Sequence, residues 1–155
     1  MKINLICVGK VKEEYFRAAV AEYAKRLSRF CDFKITEVSE ENLKDPAAGD
    51  IERILKRESE NILPKLVGKT FALAIEGEKL SSEKFAQLLI KEKQAGTGEI
   101  SFVIGGSYGI GGAVKERAKL ISFSDMTFPH TLFRVMFTEQ LYRAFCIEEG
   151  TAYHK

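Results

Sequence analysis

Tryptophan is absent from this 155-residue chain, and proline, cysteine and histidine are scarce, at three, three and two residues. So few prolines, beside 45% hydrophobic and 30% charged residues, exclude a disordered or low-complexity chain. Cys7, Cys31 and Cys146 are odd in number, far apart and without CxxC spacing, which speaks against a disulfide framework or a zinc site. They read as reduced core thiols. His130 and His154 have no carboxylate or thiol neighbours at ligand spacing, so a metal-free protein is expected. No apolar run is long enough to span a bilayer. The opening stretch, 1–10, carries Lys2 and Lys10 but no small-residue cleavage site, and the expected location is the cytoplasm, without a membrane partner. A net charge of +2 does not by itself announce nucleic-acid binding.

The length suits one compact domain over residues 1–155. Residues 2–8 are rich in Ile, Leu and Val, as a strand covered on both faces would be. Residues 13–29 place Phe16, Val20, Tyr23 and Leu27 at helical spacing. A strand over 33–38 and a helix over 51–63 follow, separated by a polar loop over 39–49. Next come a strand over 70–75 with a turn at Glu76-Gly77, and a helix after Ser81 or Ser82, where a serine can cap free amides. A fourth strand over 99–104 runs into a glycine loop, a short helix covers 113–120, a fifth strand covers 122–128, and a final helix covers 131–147. Strand alternating with helix predicts an α/β fold, with a mostly parallel sheet and helices on both faces.

Ligands of open parallel sheets gather at the carboxyl ends of the strands. Three such ends carry special residues here: Glu76-Gly77, the loop 105–112 with five glycines, and Phe128-Pro129-His130. Glycine at this density suits a loop that approaches a ligand or adopts positive φ, or else a surface turn. GxxxxGK[ST] is missing, because Lys115 is followed by Glu116. The loop also misses GxGxxG and follows the fourth strand instead of the first, which argues against a hydride enzyme. No G-x-S-x-G supports a serine hydrolase, so Ser107 is a poor nucleophile candidate. In the last helix Leu132, Val135, Met136 and Tyr142 form one apolar stripe and Phe133, Phe137 and Leu141 a second. Two stripes suit a homodimer with this helix in the interface, or a deeply buried central helix.

Four ordered motifs carry a resemblance: Ile104-Gly105-Gly106-Ser107-Tyr108-Gly109, Met126-Thr127-Phe128-Pro129-His130, Glu139-Gln140-Leu141-Tyr142-Arg143-Ala144, and the closing Ala152-Tyr153-His154-Lys155. Together with Val8-Gly9-Lys10 and Leu73-Ala74-Ile75-Glu76-Gly77, they make the whole chain resemble the ribosomal RNA large subunit methyltransferase H family of the SPOUT superfamily. The resemblance implies a homodimer, a C-terminal trefoil knot, S-adenosylmethionine as cofactor, and methylation of N3 of a pseudouridine in a stem-loop of 23S rRNA on the ribosome. Carried over by motif, the cofactor would touch Leu73, Gly105, Gly106, Ser124, Asp125, Met126, Thr127, Phe128 and Pro129.

An imide-like N3 must lose its proton before it attacks, and a neutral histidine can take that proton near pH 7. His154 is therefore the candidate base, unless it is only a frayed chain end. Arg143 would steady the developing anion or a phosphate, or form an ion pair with Glu139. Tyr142 and Tyr153 would stack on a flipped base or simply pack. Lys10, Lys12, Arg17, Arg143 and Lys155 are the expected RNA patch, or a solvated face. The rival reading is a non-catalytic nucleotide- or RNA-binding module of flavodoxin-like architecture, which accounts for the glycine loop but not for its joint occurrence with the Thr-Phe-Pro-His turn and the Tyr-His tail.

Overall fold

The computed structural model describes residues 1–41 and 43–154. Its elements run β1 (Lys2–Val8), α1 (Glu14–Leu27), β2 (Asp32–Val38), α2 (Ala48–Ile62), a 3₁₀ turn (Leu63–Lys65), β3 (Lys69–Lys79), α3 (Ser82–Gln94), β4 (Glu99–Ile104), α4 (Gly112–Arg117), β5 (Lys119–Ser122) and α5 (His130–Glu148). The five strands pair in parallel in the order β2-β1-β4-β3-β5.

Alternation along the strands divides the interior in two. Ile3, Leu5, Phe71, Leu73, Phe102 and Ile104 point to the face covered by α1, α3 and α5. Ile6, Val8, Ala72 and Val103 point to the other, where Ile62 of α2 and Val114 of α4 pack. Both faces of the strands are thus buried, which is why their sequences read as continuous apolar runs. Aromatic rings fill the larger core: Phe102 and Phe137 lie 4.9 Å apart, and Phe85 and Phe123 5.2 Å apart. Cys7, Cys31 and Cys146 are buried free thiols.

Several boundaries differ from the sequence reading. β3 does not turn at Glu76-Gly77 but continues to Lys79, with a register shift in which Leu73 and Glu78 both face Ile121. Gly77 permits it, since a Cβ there would stand 2.6 Å from the Ile121 backbone. The fifth strand covers Lys119–Ser122 and not 122–128. Ser122 Oγ donates to the Ser124 carbonyl and the Met126 amide donates to Ser124 Oγ, local bonds that compete with a ladder and end the strand. α4 accordingly stops at Arg117. α2 begins at Ala48, because the Asp50 carboxylate accepts from the Ala47 amide and satisfies an otherwise free donor. Ser81, at the N-terminus of α3, accepts from the Lys84 amide.

Candidate functional site

A cleft of about 850 Å³ opens at the carboxyl ends of β4 and β5, beside the irregular middle of β3. Its walls come from Leu73 to Glu76 of β3, the loop 104–110, residues 122–124 and 126–129, and the start of α5. Size and position match the small-molecule sites of α/β folds.

The glycine loop is shaped by close backbone approach. A Cβ on Gly105 would stand 2.1 Å from the Gly109 carbonyl oxygen. The Gly109 amide donates back to the Gly106 carbonyl at 3.1 Å, and Gly109 has φ +88°, which favours glycine. On the far side of the sheet edge, Gly106 lies against Val8 and Glu58, and Gly111 against Ser59 and the Leu55 carbonyl of α2. α2 is the floor on which this loop rests.

Residues 123–129 close the opposite wall. Phe128 stacks on Phe133 at 6.1 Å, and Phe123 packs on Phe133 and Phe137, so the loop is fastened to α5 through its rings. Of the residues expected to touch a cofactor, Leu73, Gly105, Gly106, Ser124, Met126, Thr127, Phe128 and Pro129 all line the cleft. Asp125 is outside the lining, and its carboxylate accepts from Lys79 Nζ at 2.5 Å.

The cleft also contains titratable groups to which the sequence reading gave no role. Lys115 donates to Glu76 and holds that carboxyl below its usual range. His130 is half-buried in the wall, and burial lowers its pKa, opposed by the charges of Glu40 and Glu13. Ser107 Oγ donates to Glu40 at 3.0 Å, consistent with a loop anchor and not a nucleophile.

His154, Tyr153 and Arg143 gather at another place. Tyr153 Oη donates to Glu139 Oε1 at 2.9 Å, Arg143 bonds the same carboxylate, and the Arg143 guanidinium lies 4.8 Å from the Tyr153 ring centre. Burial, with hydrogen bonds to Tyr23 and Glu139, holds the Tyr153 hydroxyl well above its usual range. Tyr142 packs edge-on against Tyr153 at 4.9 Å. His154 Nε2 stands 2.9 Å from Glu83 Oε1, while its Nδ1 is buried without a partner among the described residues. None of these side chains lines the cleft of its own chain. Lys155 lies outside the described residues.

Comparison with known proteins decides the family. Residues 1–154 match the family model described as "Predicted SPOUT methyltransferase". Over their full lengths, proteins named Ribosomal RNA large subunit methyltransferase H are 46% identical to this chain in Streptococcus uberis, and 48% identical in Streptococcus equi subsp. zooepidemicus and Streptococcus sanguinis. The chain belongs to the ribosomal RNA large subunit methyltransferase H family.

It is therefore a methyltransferase of the SPOUT type, and its cofactor is S-adenosylmethionine. Among solved structures, TrmJ from Z. mobilis ZM4 shares the fold, with TM-score 0.53 and 12% identity over 93% of this chain and 70% of that one. A methylase family protein from Neisseria gonorrhoeae does so with TM-score 0.52 and 11% identity over 90% of this chain and 81% of that one. The cleft suits an adenosyl ligand: its glycine backbone lets polar groups approach closely, and Leu73, Ile104, Met126 and Phe128 offer apolar surface. Among the described residues no group of three or more His, Cys, Asp or Glu is placed to hold a metal, and no helix is long and apolar enough to cross a membrane.

Proposed function

We propose that this protein methylates N3 of a pseudouridine in a stem-loop of 23S rRNA, acting in the cytoplasm on the ribosome as a homodimer. Residues 1–155 would form one methyltransferase domain, its C-terminal part tied in a trefoil knot. What carries the proposal is the agreement between full-length similarity to proteins named for large-subunit rRNA and a cleft lined by eight of the residues their motifs mark.

Bound S-adenosylmethionine supplies an electrophilic methyl group on its sulfonium, so the chain's own work is positioning and proton removal. Gly105 and Gly106 give the adenosyl part close access to backbone. Leu73, Met126 and Phe128 exclude water around it, and Pro129 with its fixed φ holds the loop as α5 begins. His154 accepts the N3 proton, with Glu83 orienting its ring through Nε2. Arg143 and Tyr153, already fixed on Glu139, face the anionic base.

Phe133 lines the cleft, and Arg143 lies ten residues further along α5, about 15 Å along the helix axis. Within one chain the tail is thus remote from the methyl donor. A second copy docked on the half-buried Leu132, Val135 and Met136 of α5 would bring its own tail to this cleft. RNA would approach over Lys10, Lys12, Arg17 and Arg143.

The test offers methyl-labelled S-adenosylmethionine and the purified protein to large-subunit rRNA and ribosomes that lack the modification, with nucleoside mass spectrometry as readout. The expected product is N3-methylpseudouridine, absent when uridine replaces the pseudouridine. Label on another nucleoside, or none, overturns the assignment. Light scattering should give twice the chain mass; a monomer overturns the shared site.

A further inference from the structure

Glu58 is 3% exposed, yet among the described residues no cation pairs with it. One carboxyl oxygen takes a long 3.4 Å hydrogen bond from the Glu41 amide, and the other is buried with no partner among the described residues. The groups around it, from the loop after β2 and from the glycine loop, are the carboxylates of Glu40 and Glu41, Val8 of β1 and the Gly106 peptide. Arg57 is turned toward Glu41, and Ser107 toward Glu40. A Cβ on Gly106 would stand 3.3 Å from one Glu58 oxygen and 3.4 Å from the other. Gly106 is at once the roof over Glu58 and a wall of the cleft.

A buried carboxyl with one weak donor and two like charges beside it holds its proton to higher pH than an ordinary carboxyl. Burial raises it to about 7, opposed by the Glu41 amide and reinforced by Glu40 and Glu41. A cation brought into the cleft acts in the other direction, because it stabilises the anion across a single peptide.

We propose that Glu58 is a positioning residue that reads the sulfonium charge of the methyl donor: donor binding draws a proton from Glu58, and the spent, uncharged thioether does not. Glu58 thereby favours S-adenosylmethionine over S-adenosylhomocysteine and helps the spent cofactor leave. The linkage rests on the cleft being the cofactor site. Its sign follows from the proton released: donor affinity rises with pH through about 7 as Glu58 ionises, and product affinity lacks that contribution. Burial lowers the His130 pKa, and the variants at His130 and Glu58 separate the two titrations.

Isothermal titration with each ligand, in buffers of different ionisation enthalpy, counts the protons directly in the unaltered protein. The expected result is a larger proton release for S-adenosylmethionine, and a donor-to-product affinity ratio that grows roughly threefold to fourfold between pH 6.5 and 8. In Glu58→Gln, which keeps shape and removes the titration, the ratio should be flat and the excess release gone, while His130→Gln should retain both. Equal proton release for the two ligands in the unaltered protein overturns the proposal, as does a slope that survives in Glu58→Gln. Donor binding that survives Gly105→Leu overturns the cleft assignment itself.

Discussion

His154 sets its Nε2 2.9 Å from Oε1 of Glu83 in the first turn of α3 and so ties the end of the chain to the start of a helix. Bonds from the Ser81 side chain, from its own amide and from His154 hold the Glu83 carboxyl down at about 2. It remains an anion at any working pH and can orient the imidazole throughout. His154→Ala should lower methyl transfer at least about a hundredfold, the usual range for a lost general base, with donor affinity kept. Titration calorimetry beside a single-turnover assay checks both halves, and full turnover removes His154 from the mechanism.

Glycines around the cleft should separate by what a methyl group meets. Gly105→Ala drives Cβ toward the Gly109 carbonyl, and a loss of about 1 to 3 kcal/mol in stability with at least tenfold weaker donor binding is expected. Gly112→Ala has nothing within 4 Å and opens α4, so urea melts should show no loss. Equal behaviour of the two variants would contradict the packing account of the loop.

Arg134 is 1% exposed and bonds Glu37 as well as the carbonyls of Val8 and Gly9, joining α5 to the end of β1. Arg134→Ala strands those acceptors and should lower unfolding free energy by about 3 to 5 kcal/mol in urea titration. Lysine keeps the charge but not the fork, and should fall between.

Burial pushes the Cys7 and Cys31 thiols up, each to about 12. A thiol harder to ionise when folded stabilises the fold fully below its unfolded value of about 9, and that contribution is lost as pH rises from there toward 12. Chemical denaturation at pH 7, 9 and 10.5 should show stability falling only above 9. Neither thiol should react with a disulfide reagent at pH 8 until the protein unfolds.

The strands with the plainest apolar runs were legible: β1 and β4 begin and end where their composition says. The cleft was legible too, because glycine density and a strand end mark a ligand loop without tertiary knowledge. What escaped depends on partners far along the chain. Nothing local to Glu76-Gly77 shows that the backbone of Ile121 will pass so close that only glycine fits, so the pair resembled a turn. Phe123 and Phe128 resembled strand residues, yet their rings are spent on Phe133 and Phe137 of α5. Glu58 drew no notice in the sequence, since it is roofed by a glycine loop some fifty residues later.

The strand order also dictates when the molecule can exist. β1 leaves the ribosome before β2 and β4, between which it must sit, and α5, which covers one face of the sheet, leaves after every strand. A nascent chain cut off before β4 has no partner for one side of its first strand. Such long-range pairing slows folding and leaves apolar edges open meanwhile. Folding of this protein should therefore wait for α5, with chaperone demand concentrated in the interval before that helix emerges.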